Sequence, residues 1–146
     1  MKNASTSLLI LWITLSFTTT TLSAQSLIGK WKGEDGGEVG IITFDKEGYV
    51  AFTVNGESIG GKAYKVEGMV FDMVYEIDDT VTPHTMDFVI SMDGSDLEVS
   101  RMEGIYRFDD DKTLVINMKF DGSGRPEAFD DSSDDQIRLT KTKKKK

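Results

Sequence analysis

Apolar and polar residues alternate along most of this chain with a period of two, the spacing of a half-buried β-strand. The clearest example is residues 84–92 (HTMDFVISM), where every second residue is large and apolar while Asp87 and Ser91 take the other face. Residues 112–120 repeat the pattern, and no stretch has the 3.6-residue period of an amphipathic helix. The sequence therefore predicts an all-β fold.

Turn signals divide the chain into short strands. Asn55-Gly56 is a strong hairpin signal because both residues tolerate a positive φ. Consecutive hairpins predict an antiparallel up-and-down sheet of about eight to ten strands, and such a sheet hides its edges by closing into a β-barrel. The expected strands cover residues 28–33, 38–45, 49–54, 62–66, 69–77, 84–92, 97–108, 112–120 and 136–141.

The first residues have the pattern of a secretory leader. Lys2 precedes an apolar run at residues 8–15, and small residues follow at 23–24, where a signal peptidase would cut. The apolar run is shorter than the roughly 20 residues needed to span a bilayer, so we expect no transmembrane segment in the mature chain. The expected organisation is a signal peptide over residues 1–24, one barrel domain over 25–140 and a basic tail over 141–146.

Charge and cysteine content limit the partners and the compartment. The chain has 25 acidic residues against 17 lysines and arginines, and its formal net charge is −8. Such a surface repels phosphate backbones, so a nucleic-acid partner is not expected. With no cysteine in the chain, the fold has no disulfides. The leader and the missing cysteines together indicate a bacterial exported protein, periplasmic or secreted.

The start of the barrel domain resembles a known family. Gly29-Lys30-Trp31 is similar to the G-x-W signature on the first strand of lipocalin and calycin barrels. In those folds a basic side chain from the last strand covers the tryptophan, which would be Arg138 or Lys141 here. Gly29, Trp31 and Arg138 are therefore candidate structural residues.

A longer resemblance extends over most of residues 25–146. The W-x-G start at residues 31–33, together with residues 61–66, 83–88, 104–108 before Thr113-Leu114, and 125–129, is similar in order and spacing to a family of bacterial exported lipocalin-like domains of the calycin type. The resemblance implies a lipocalin-like β-barrel. The family has no established activity, so it supplies no catalytic residues.

The interior of the expected barrel is rich in aromatic residues. A barrel of about eight strands is either filled by its side chains or wide enough for one small ligand. An apolar cup for a small apolar ligand and a packed core are both open at this point. The candidate ligand-binding residues are Trp31, Phe52, Tyr64, Phe71, Tyr75, Phe88, Tyr106, Met118 and Phe120.

Signals of catalysis or metal binding are weak. His84 is the single histidine, and the sequence identifies neither a nucleophile nor an orienting carboxylate for it. One histidine without cysteine does not suggest a zinc site, and acidic runs such as residues 109–111 lack the spacing of an EF-hand loop. We therefore expect no enzyme activity, no cofactor and no metal site.

Two functions remain open. The first is a carrier or sensor for a small apolar ligand, with a mouth bordered by the loops at residues 78–84 and 121–135. The second is a solid barrel that acts as an interaction module for a protein or an envelope component. That module would use its outer face or the loop at residues 125–129.

Overall fold

The computed structural model describes residues 26–35 and 37–143. These residues form an all-β fold of ten antiparallel strands in one nearly closed, barrel-shaped sheet, which confirms the predicted fold class. The predicted signal peptide and residues 144–146 of the predicted tail lie outside the described residues. The strands are β1 (Gly29–Asp35), β2 (Glu38–Phe44), β3 (Val50–Val54), β4 (Glu57–Gly60), β5 (Tyr64–Val66), β6 (Met69–Asp78), β7 (His84–Met92), β8 (Glu98–Asp110), β9 (Thr113–Met118) and β10 (Gln136–Lys141).

The sheet is an up-and-down meander in which the first and last strands are neighbours. Its order is β4-β3-β2-β1-β10-β9-β8-β7-β6-β5, so β4 and β5 are the two edges. β6 reaches across this seam, because the Met73 amide donates to the Gly61 carbonyl at 2.9 Å and the Tyr75 amide donates to the Gly48 carbonyl at 2.9 Å. These hydrogen bonds join β6 to the residue after β4 and to the turn before β3, and they bring the barrel close to closure.

An up-and-down topology sorts the turns into two sets. The connections β1–β2, β3–β4, β5–β6, β7–β8 and β9–β10 lie at one end, which we call the mouth. The remaining connections lie at the other end, together with the start of β1 and the end of β10. We call this second end the Trp31 end. No helix long and apolar enough to cross a membrane occurs among the described residues.

A run of aromatic contacts fills the centre of the barrel. Ring centroids lie 5.0 Å apart for Phe44–Tyr75, 6.2 Å for Phe44–Phe88, 5.4 Å for Phe52–Phe88 and 6.5 Å for Phe52–Phe120. Offset and edge-to-face contacts at such distances add to the stabilisation from burial. Side chains rather than open space therefore occupy the middle of the barrel, up to the level of Phe52.

Trp31 fills the interior of the barrel at the Trp31 end. It is fully buried, and its indole Nε1 donates a hydrogen bond to the Leu27 carbonyl at 2.7 Å. The Lys141 ammonium lies 5.0 Å from the ring centroid and donates to the Ser26 carbonyl at 2.8 Å. Gly29 has a φ of +133°, and a Cβ there would lie 3.3 Å from Lys141 Cε. Glycine thus permits both the backbone conformation and the close approach of the lysine.

Lys141 rather than Arg138 covers the tryptophan. Arg138 lies on the outer face of β10, where its guanidinium pairs with the Asp109 carboxylate. Asp109 also accepts a hydrogen bond from Arg107 Nε at 2.8 Å. The two arginines lower the pKa of Asp109, and Arg138 makes its contacts outside the barrel.

Candidate functional site

A cavity of about 600 Å³ opens at the mouth. Its floor consists of Ile42 from β2, Phe52 from β3, and Ile137 and Leu139 from β10, with Phe120 at one side. Small-molecule sites are typically concave, largely apolar and about 300–1,000 Å³ in volume. The volume of the cavity lies within this range, and its floor is apolar, while polar residues such as Glu38 and Gln136 also belong to its lining.

The cavity forms where two neighbouring strands separate. β1 and β10 are paired only at Trp31↔Lys141 and Lys32↔Thr140, at the Trp31 end. Towards the mouth, β1 stays with β2 as far as Asp35↔Glu38, and β10 stays with β9 as far as Gln136↔Asn117. Because β1 follows β2 and β10 follows β9, open space is left between β1 and β10 towards the mouth.

A glycine keeps part of this space empty. Gly40 faces inward on β2, where it is paired with Gly33 and Val54. A Cβ at Gly40 would meet only Val54 Cγ2, at 3.7 Å. A larger side chain at Gly40 would therefore project into the cavity, and the absence of one contributes to its volume.

The mouth has an apolar rim. Several apolar residues beside its turns are between 41% and 61% exposed, although most of them occupy inward-facing positions. Exposed apolar patches on a folded domain mark sites of interaction or ligand access. The rim residues are Val54, Ile59, Met69, Met92, Leu97 and Phe120.

The structure brings two of the nine candidate ligand-binding residues, Phe52 and Phe120, to the cavity. The other seven do not line it. Trp31, Phe88, Tyr106 and Met118 are buried in the core, Tyr64 and Phe71 pack on each other at 5.9 Å, and the Tyr75 hydroxyl donates to the Asp45 carbonyl at 2.9 Å. Burial, and then the nearby Asp45 carboxylate, raise the pKa of Tyr75.

Sequence reasoning did not select the other lining residues. Ile42, Ile137 and Leu139 lie on inward faces that alternation identifies, but the same pattern also marks residues of the packed core. The separation of β1 from β10 decides which inward residues border open space. Pairing register determines this separation, and the sequence contains no local signal of it.

The loop at residues 121–135 borders the mouth in part, since its Ser133 and Asp134 line the cavity, but its residues 125–129 pack on the outside of the barrel. We call residues 125–129 the outer strap. Its Pro126 is buried, and its Ala128 carbonyl accepts a hydrogen bond from Asn117 Nδ2 of β9 at 2.9 Å. The Arg107 guanidinium of β8 lies 4.3 Å from the Phe129 ring centroid. The outer strap thus covers the outer face of β8 and β9.

Arg125 attaches the outer strap to Asp87. Its guanidinium donates to Asp87 Oδ1 at 2.7 Å and to the Gly104 carbonyl at 2.6 Å. Arg101 donates to Asp87 Oδ2 at 2.9 Å from the same wall of the barrel. Burial disfavours the ionised carboxylate, but the two arginines outweigh it and lower the pKa of Asp87.

His84 lies away from the cavity. Its Nδ1 is 2.8 Å from the Val81 carbonyl oxygen, and its ring packs against Tyr106 with centroids 5.6 Å apart. The β6–β7 connection just before it is at the Trp31 end, so this loop does not border the cavity. Within residues 26–35 and 37–143 there is no group of three or more histidine, cysteine or acidic side chains that could hold a metal ion.

Comparisons with protein-family models, curated proteins and solved structures give no match for this chain. Its relation to lipocalin-like domains stays a prediction from the sequence.

Proposed function

We propose that this protein is a non-catalytic carrier or sensor that binds one small, largely apolar molecule at the mouth of its barrel. The observation that carries the proposal is the cavity of about 600 Å³, with its floor of aliphatic and aromatic side chains. Transfer of apolar surface from water to such a floor is favourable by about 25 cal/mol per Å². The exposed apolar rim supports a path from solvent to the floor.

The alternative, a solid barrel acting as an interaction module, has less support. The outer strap makes its contacts with the barrel itself, and its Pro126 is buried. A segment held in this way presents little of its apolar surface to a partner. The mouth rim offers more exposed apolar surface, and it leads into the cavity.

Binding is tested with a neutral fluorescent apolar probe, N-phenyl-1-naphthylamine, and a variant that fills the cavity. We expect saturable binding by the unmodified protein and at least a tenfold loss of affinity in Gly40→Phe, because the new ring would occupy the cavity beside Val54. Fluorescence titration measures both affinities, and circular dichroism checks that the variant is folded.

Val39→Phe is the matched control. It adds the same ring to the adjacent residue of β2, which lies on the outer face and is exposed. We expect probe affinity to change less than twofold in this variant, since Val39 is not among the residues that line the cavity. Equal losses in both variants, or no saturable binding by the unmodified protein, would contradict the proposed function.

We also propose that the protein is exported and that residues 1–24 are removed. The lysine, short apolar run and small residues of this segment support the proposal, as does the absence of cysteine. Expression with the leader in a bacterial host should give a product whose intact mass corresponds to residues 25–146. A cell-associated product that keeps residues 1–24 would argue against export.

A further inference from the structure

We propose that the ligand of the mouth cavity carries a positive charge, as an amine attached to an apolar chain or ring. The inference rests on the proposed function and adds the chemical class of the ligand. The apolar floor defines one half of the molecule, and the charged groups at the rim define the other.

Three segments of the chain bring carboxylates to the rim of the cavity. Glu38 takes an inward-facing position on β2, two residues before Gly40. Glu34 comes from β1, where it pairs with Val39 on the outer face and reaches the cavity beside the gap between β1 and β10. Asp134 comes from the β9–β10 connection. Carboxylates from β1, β2 and the β9–β10 connection thus join the apolar side chains that line the cavity.

These carboxylates have no partner of opposite charge in the described part of the chain. None of the three forms a salt bridge there. Arg138, the cation among the residues around the cavity, is paired with Asp109 on the outer face. An ammonium group at the rim would gain attraction from the carboxylates, and a ligand carboxylate would be repelled.

A ligand that complements the whole site needs both an apolar part for the floor and a positive charge for the carboxylates. A small inorganic cation would leave the exposed parts of Phe52 and Ile137 in contact with water. A neutral hydrocarbon would gain nothing from the charged rim. The chain's net charge of −8 also favours the approach of cations, and this steering weakens as salt is added.

Three probes with the same eight-carbon chain separate charge from apolar contact: octylamine, 1-octanol and octanoate. Their affinities are measured by isothermal titration calorimetry at pH 7, at low and at high salt. We expect octylamine to bind about tenfold more tightly than 1-octanol at low salt, with octanoate the weakest of the three. High salt should reduce this preference for octylamine and leave the affinity for 1-octanol nearly unchanged.

Variants of the rim assign the preference to its carboxylates. We expect Glu38→Gln to weaken octylamine binding roughly threefold, and Glu34→Gln with Glu38→Gln roughly tenfold, without changing the affinity for 1-octanol. Glu47→Gln is the matched control, because Glu47 is an exposed carboxylate in the β2–β3 turn at the Trp31 end. It should leave all three affinities unchanged.

The outcomes distinguish this inference from the proposed function. Equal binding of the three probes, or an octylamine preference that survives neutralisation of Glu34 and Glu38, overturns the inference and leaves the carrier function standing. If none of the probes binds, the carrier function is overturned and the inference with it. A preference that disappears in the double variant and persists in Glu47→Gln supports both.

Discussion

Replacement of Trp31 by alanine is expected to lower the free energy of unfolding by about 4 kcal/mol, the loss typical of truncating a large buried aromatic residue. Trp31 is completely buried and packs against Phe108, with ring centroids 5.9 Å apart. Its removal would leave a cavity at this end of the barrel and leave the Leu27 carbonyl without its indole donor. Urea unfolding followed by far-UV circular dichroism measures the loss.

Two further variants divide this loss between packing and the polar contacts. Trp31→Phe keeps an aromatic ring and removes the indole N–H, so about 2 kcal/mol is expected. Lys141→Met keeps an apolar stem and removes the charge above the ring, at a cost of about 1 kcal/mol. Phe120→Ala, at a half-exposed aromatic residue of the mouth, should cost about 1 kcal/mol. If Trp31→Ala lowers the free energy of unfolding by no more than Phe120→Ala does, Trp31 is not a packing centre of the barrel.

The alternation of apolar and polar residues predicted the barrel because the long strands turn their apolar residues to the interior of the sheet. Residues 84–92 and 136–141 were predicted as strands, and β7 and β10 have these bounds. β4 was not predicted, although the Asn55-Gly56 hairpin signal precedes it. Its sequence, Glu-Ser-Ile-Gly, has one large apolar residue, and Ile59 forms its pair with Phe52 across the hairpin. A strand this short depends on its partner more than on its own composition.

On the outer face of β7, alternation does not predict burial correctly. Asp87 is on the polar face of β7, as alternation predicts, and such residues are expected in solvent. Its side chain is only 12% exposed, because the outer strap returns from about 40 residues further along the chain and places Arg125 on it. The strap has the composition of a surface loop, so only the tertiary contacts reveal that it packs on the barrel. The mouth cavity is a similar case, since it depends on the separation of β1 from β10.

Asp87→Asn is expected to lower the free energy of unfolding by about 2 kcal/mol at pH 7. Asparagine keeps the shape of the side chain, but its neutral amide cannot balance the guanidinium groups of Arg101 and Arg125. Loss of one partner from a fully buried ion pair costs about 3–5 kcal/mol. The two arginine side chains are 30% exposed, and solvent screening reduces the expected cost. Urea unfolding at pH 7 measures it.

The cost should depend on pH, with a sign that follows from the lowered pKa of Asp87. The unfolded chain has an aspartate pKa of about 3.9, and the folded pKa is below this value. Ionised Asp87 therefore stabilises the fold fully above about pH 4, and this contribution is lost as the pH falls through the folded pKa. The difference in unfolding free energy between the unmodified protein and Asp87→Asn should shrink below about pH 4.

Asp111→Asn is the matched control for this pH dependence. Asp111 is exposed in the turn between β8 and β9 and forms no salt bridge within the described residues. Its replacement should change the free energy of unfolding by less than about 0.5 kcal/mol at both pH 7 and pH 3. The other aspartates with lowered pKa, such as Asp78 and Asp130, are present in all three proteins, so their contributions cancel in the differences. A cost of Asp87→Asn that stays constant from pH 7 to pH 3 would show that the arginines stabilise Asp87 through shape and neutral hydrogen bonds rather than through its charge.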